Sequence, residues 1–182
     1  MKYPTASDVE EMRARGYDPS VIAEQLELTK RGQVLQDLKL ATIEAFAGVT
    51  LGSGIGLLQA QGLDDYADEK TCAAYREKDE KHDWRAIGLE VLNRYSSSLS
   101  FFDEEGMRFH LPAFLVAAID GTYRFDLVYN LAHSAFVPDQ FALLTPTQRQ
   151  VVRGYLQFIA QEEEHAHDRE LIQGALASYW AR

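Results

Sequence analysis

The sequence predicts a mostly helical, all-α single domain with one glycine-rich irregular segment and at most one or two short strands. Three observations predict it. Apolar residues recur at three- and four-residue spacing in several stretches, as one face of a helix requires. Helix start signals, a capping side chain followed by proline or by Glu or Gln, recur along the chain. No alternating apolar and polar run of useful length appears, so a half-buried strand has little to draw on; GVTLGS and the TYRF at 122–125 are the two short candidates.

The elements follow in order. Residues 7–10, SDVE, read as a capping box, with Ser7 capping the amide of Glu10 and the helix ending near Gly16. Asp18-Pro19 is a cap followed by proline at the first helical position. Val34, Leu35, Leu38, Ala41, Thr42, Ala45 and Phe46 form a stripe that Gly48 stops. Gly48, Gly52, Gly54, Gly56 and Gly62 then punctuate an irregular stretch. Residues 67–81 are helical in composition, and Trp84, Ile87, Leu89, Val91 and Leu92 suggest a short helix with Gly88 inside it. Leu111-Pro112 reads as another start, with Phe114, Leu115, Ala118 and Ile119 as the apolar side and Gly121 as the stop; Asp126 caps a short helix after it.

Thr145-Pro146-Thr147-Gln148 is the strongest start signal. Behind it Val151, Val152, Tyr155, Leu156 and Ile159 make one stripe, which the charged run at 161–170 interrupts. Leu171, Ile172, Ala175, Leu176 and Tyr179 resume on a face about 160° away, so the helix either breaks or packs its ends on different partners. The domain plan is 1–182 as one unit: helices over 1–48, the glycine-rich segment over 49–66, and a helical remainder over 67–182 with a long terminal helix from 146.

The chain has 182 residues, enough to bury a core without metals or disulfides, and is 46% hydrophobic and 25% charged. Against 28 Asp and Glu stand 18 Lys and Arg, a formal charge of −10 that repels nucleic-acid phosphates. Neither a leader pattern nor an apolar run of the ~20 residues that span a membrane occurs, so the expected location is the cytoplasm. The single cysteine, Cys72, has no activating neighbour in sequence and reads as structural.

Four stretches could carry chemistry. GSGIG at 52–56 resembles a phosphate loop, but a dinucleotide fingerprint needs a preceding strand and a sixth-position glycine, where this chain has Leu57. It reads as a helix-breaking loop; with Arg76, Arg108 and His110, the glycines Gly52, Gly54 and Gly56 are the candidate ligand or polar cluster. Asp79 with His82 and Glu162 with His165 repeat a carboxylate-x-x-His spacing, the pattern of a dimetal helix bundle, with Glu44 or Glu90 as further ligands. The competing reading is solvated helix faces. His165 and His167 of HAHD lie about 200° apart on a helix and cannot share an ion unless the helix breaks. In FFDEEGMRFHLPAF, Asp103 to Gly106 suit a turn, with Arg108 and His110 on one side of an extended piece. Trp180 reads as core, with a dimer contact as the alternative.

The segments LGSGIGLLQAQGLDDY, DEKHDW, FFDEEGMRFHLPAF and FALLTPTQRQVVRGYLQF, spanning about residues 51–158, resemble an uncharacterised bacterial family, a domain of unknown function. The resemblance implies bacterial origin and one compact domain; it brings no activity, cofactor or site. The leading expectation is a non-enzymatic intracellular protein-interaction domain that binds a protein partner or itself as a homodimer, with no cofactor, nucleic acid or membrane. The alternatives are a metal-dependent enzyme using Asp79, His82, Glu162 and His165, and a small-ligand binder at the glycine-rich segment.

Overall fold

Capping chemistry sets most of the helix boundaries. The computed structural model describes residues 3–133 and 137–181, and no strand forms among them. Among the described residues the α-helices follow in order: α1 (Ala6–Ala14), α2 (Pro19–Ala45), α3 (Leu57–Asp64), α4 (Glu69–Lys78), α5 (Leu89–Arg94), α6 (Glu104–Ile119), α7 (Val128–Ala132), α8 (Val137–Gln140), α9 (Pro146–Ile159) and α10 (Arg169–Ala177). Short 3-10 turns fill 84–86, 96–101, 163–168 and 179–181. The two strand candidates fold otherwise.

α6 is the buried axis of the molecule. Phe109, Leu111, Phe114 and Leu115 are all fully buried, and α2, α5, α8 and the turn at Trp84 pack around the helix. α9 lies against α2, and α10 against α7 and α9. Two side chains close the exposed end of α2: Gln148 Nε2 donates to the carbonyl of Ala45 (3.1 Å) and Trp84 Nε1 to that of Phe46 (3.0 Å). They satisfy carbonyls that a helix end otherwise leaves without a partner.

Several expectations are met locally. Asp18 caps α2 with Pro19 at its first position. Thr145 and Gln148 form the reciprocal capping box of α9. Asp126 accepts the amide of Val128 at 2.7 Å, and Gly121, at φ 65°, ends α6. Thr145→Ala is expected to destabilise the fold by about 1 kcal/mol, since one amide at the start of α9 loses its acceptor; urea denaturation with an unchanged m-value would register it.

Other boundaries differ, each for a physical reason. The first helix is capped by Thr5 with Asp8, two residues before the Ser7–Glu10 pair. α2 runs unbroken from Pro19 to Ala45, joining the Asp18-Pro19 start to the 34–46 stripe in one helix, although it buries only Leu35 and Thr42 fully. The glycine-rich segment is irregular only as far as Gly56, where α3 begins. Gly88 caps α5 and does not sit inside a helix. Asp103 to Gly106 is no free turn: Asp103 caps α6, and Glu104 and Glu105 occupy its first turn, where carboxylates complement the helix dipole. Met107 to His110 is therefore helical, and Pro112 lies inside α6, where it forgoes an amide bond to the Arg108 carbonyl.

The terminal helix breaks. α9 ends at Ile159, and His165 leaves helical geometry at φ −106°, ψ 20°. The two stripes do not present separate faces to partners. Val152, Tyr155, Leu156 and Ile159 from one, and Ile172 and Ala175 from the other, all bury in the same core. Trp180 joins them, 1% exposed, with Nε1 donating to the Leu131 carbonyl at 2.7 Å.

Candidate functional site

The glycine-rich loop seats on the first turn of α6. Asp103 Oδ1 accepts both the Gly106 amide of its own helix (2.8 Å) and the Ile55 amide of the loop (2.9 Å). Glu105 accepts the Ser53 hydroxyl at 2.5 Å, and Arg76 donates to the Gly52 carbonyl at 2.8 Å. The approach is closer than any side chain allows. A Cβ on Gly106 would stand 2.4 Å from the Ile55 carbonyl oxygen, and one on Gly54 2.5 Å from the Gly106 nitrogen.

Gly56 begins α3 but has no side chain to cap it. Asp79, from the end of α4, supplies the missing carboxylate and accepts the amides of Leu58 (2.7 Å) and Gln59 (3.2 Å). A Cβ on Gly56 would lie 2.0 Å from Asp79 Oδ2, so glycine is what admits the carboxylate. Burial pushes the Asp79 carboxyl above its ordinary range, opposed by the two amides and by the positive charges of Arg76 and Lys81.

His110 lies one turn into α6 and is 1% exposed. Its ring stacks on Phe102, centroids 4.4 Å apart and planes at 5°, and meets the edge of Phe109. Nδ1 stands 2.7 Å from the Gly106 carbonyl. A carbonyl can only accept, so the ring proton resides on Nδ1 and the lone pair on Nε2. Burial pushes the imidazole down to about 4, with the Arg76 charge acting in the same direction and the Gly106 carbonyl and Asp103 opposing. His110 is therefore neutral at pH 7.

A cavity of about 370 Å³ opens between α3, the 79–88 segment and α5, with His110 in its wall. Leu57, Leu58, Val91 and Tyr95 supply apolar walls, and Asp79 and His110 are its buried polar groups. Among the described residues His110 Nε2 makes no hydrogen bond. Nε2 is not sealed off, unlike Arg76 Nη1 and Arg108 Nε, which are buried without a partner.

The sequence-derived cluster is thus brought together in part. Gly52, Gly54, Gly56 and Arg76 meet at one junction, and His110 stands behind it. Arg108, half-buried on α6, joins none of these bonds, since its Nε has no hydrogen-bond partner. The loop itself offers no anion cradle. The Gly54 amide is already bonded to the Leu51 carbonyl (3.0 Å), and the Gly56 amide faces Gln59 Oε1 (3.4 Å). Cys72 is buried, its thiol toward the Ala67 carbonyl.

The proposed metal set does not assemble. Asp79 ends α4 and caps α3, while His82 lies beyond the helix and is exposed. Glu162 pairs with Arg31 and accepts the Tyr3 hydroxyl at 2.7 Å. Of the four, only His165 belongs to the group of carboxylates and imidazoles that converges among the described residues, and its companions there are Asp126 and Asp168. No signal near His165 in sequence pointed to Asp126; the pairing exists only because the chain breaks between α9 and α10.

Fold and site together define an all-α domain with a glycine-seated loop and a half-apolar cavity against a neutral histidine. The chain belongs to a family of unknown function, DUF6714, whose model matches residues 34–182. The match extends the resemblance past both ends of 51–158, back into α2 and on beyond α10 to residue 182. No curated protein and no solved structure matches the chain. No helix among the described residues is long and apolar enough to cross a membrane.

Proposed function

We propose that the domain binds a small organic molecule in the His110 cavity, with an apolar body against Leu58 and Val91 and a hydrogen-bond donor for His110 Nε2. The observation that carries this is the buried imidazole. The Gly106 carbonyl takes its one proton, leaving an acceptor in the wall of a cavity whose volume falls in the range of small-ligand pockets. Nε2 is open to the cavity and not sealed, so a ligand's donor would take the place of solvent at an acceptor that the protein leaves free. No reaction is assigned: Asp79, the other buried polar group, is committed to two backbone amides. The acidic charge of −10 favours neutral or cationic ligands over phosphates.

Ligand-observed NMR with a library of small amphipathic fragments tests the reading. Fragments are expected to bind the wild type and to lose binding at least tenfold in Val91→Trp, which fills the cavity from a partly exposed position. Hits indifferent to Val91→Trp, or no hits at all, would overturn it.

A second reading, a protein partner or a homodimer, draws on exposed aromatics. Tyr66 is 96% exposed and held at φ 55°, and Phe125 and Tyr129 beside α7 are each 53% exposed. Such surface aromatics are enriched where proteins meet. Light scattering on a size-exclusion column decides the homodimer: a monomer at every concentration removes it.

A further inference from the structure

The break between α9 and α10 turns His165 toward Asp126, which lies just before α7. Their ligand atoms and that of Asp168 all lie within 4.8 Å of one another. Nδ1 of His165 is 3.5 Å from Asp126 Oδ2 and 3.6 Å from Asp168 Oδ2. Both His165 Nδ1 and Asp168 Oδ2 are sealed from solvent and make no aligned hydrogen bond, although His167 Nε2 also stands 3.1 Å from Asp168 Oδ2. A charged imidazole held by carboxylates would draw them to about 2.7–2.9 Å. Two ligands of one tetrahedral zinc ion at bond lengths of about 2.0–2.2 Å stand about 3.3–3.6 Å apart. The two separations from His165, 3.5 and 3.6 Å, match the second case better than the first, and the two carboxylate oxygens lie within 4.8 Å of each other.

Asp126 is oriented as a carboxylate ligand is in a metal site. Asp126 Oδ1 is held by the Val128 amide at 2.7 Å, which leaves Oδ2 to face His165. The side chains of His165 and Asp168 are 17% and 22% exposed, and that of Asp126 43%, so the point between them is partly sheltered and still reachable. One nitrogen and two carboxylate oxygens suit a first-row transition ion; Mg²⁺ and Ca²⁺ prefer all-oxygen shells of six or more.

We propose that Asp126, His165 and Asp168 form a three-ligand site for a divalent transition metal ion, with Zn²⁺ the best fit and a fourth position left open. It is separate from the His110 cavity. The ion would tie the start of α7 to the joint between α9 and α10. His167, 75% exposed and 3.1 Å from Asp168 through Nε2, stands outside the group and serves as the control for adventitious surface binding.

The test is calorimetric titration of Zn²⁺ into chelator-stripped protein. One equivalent is expected to bind with Kd of about 1 µM or tighter and to raise Tm. His165→Gln and Asp126→Asn are each expected to weaken binding at least tenfold, and His167→Ala less than threefold. Asp126→Asn keeps an acceptor for the Val128 amide, so its fold is expected to stand even if His165→Gln misfolds. No saturable binding below about 1 mM, binding that His167→Ala abolishes, or binding that Asp126→Asn leaves unchanged would each overturn the proposal.

Discussion

Gly106→Ala is expected to destabilise the protein by about 3 kcal/mol, the upper end for overpacking, and to lower Tm by about 9 °C. The added methyl would stand 2.4 Å from the Ile55 carbonyl oxygen and 2.8 Å from Asp103 Oδ1. The first contact is backbone, so no rotamer relieves it; the loop must lift from α6. Lifting breaks the Ile55 amide's bond to Asp103 and loosens the carbonyl that holds His110. Gly54→Ala strains the same gap from the other side, against the Gly106 nitrogen at 2.5 Å. The double variant is therefore expected to cost at least 1 kcal/mol less than the sum of the two, because once the loop has lifted the second methyl meets little. Urea denaturation of the three variants measures this. Losses under about 0.5 kcal/mol for each single variant would mean that the loop does not sit on α6.

Acidification from pH 7 to pH 4 is expected to remove about 3 kcal/mol through His110 alone. Its imidazole is ordinary in the unfolded chain, near 6.5, and pushed down to about 4 in the fold. Between those values the unfolded chain binds the proton and the native one does not, so stability rises with pH across that window and is complete above it. Asp79 acts in the opposite sense: its carboxyl is raised by burial, so its protonation as pH falls favours the fold. Glu80 is lowered, chiefly by the His82 amide and then the Asp83 amide, and adds a loss at lower pH still. The comparison with His110→Gln isolates the imidazole. The variant's stability is expected to be flatter between pH 4 and 6.5, whatever its absolute value. Equal slopes for the two proteins would show that His110 is not buried neutral.

Helix starts were the most legible part of the sequence because they are local. Thr145-Pro146 and Asp18-Pro19 carry their own acceptors and dihedral restraint within three residues. The same logic, applied to Asp103-Glu104-Glu105-Gly106, supports two structures: a capping aspartate followed by acids is also a turn composition. What decides for the helix is the loop at Ile55, which shares the cap from 48 residues away. That the Asp18-Pro19 start and the 34–46 stripe belong to one helix is not legible, because the first half of α2 shows no apolar stripe to join them.

The candidate site was legible as residues and not as an arrangement. The sequence groups the glycines with Arg76, Arg108 and His110 and marks the loop as a helix breaker, but not what the break is for. Its role is steric, to bring Asp79 and α6 close. Asp79 looked like half of a metal pair, and only the long-range pairing with the α3 amides reveals it as a cap. Asp126 and His165, 39 positions apart, share no local pattern at all.

The most direct test of the central claim is the nitrogen-15 spectrum of the imidazoles followed from pH 7 to pH 4. His110 is expected to carry its proton on Nδ1, to show an unprotonated Nε2, and to stay neutral until the pH approaches about 4. A fragment that binds the cavity is expected to shift Nε2 and leave Nδ1 in place. A proton on Nε2, or a titration centred near 6.5, would contradict the buried neutral acceptor on which the ligand site rests.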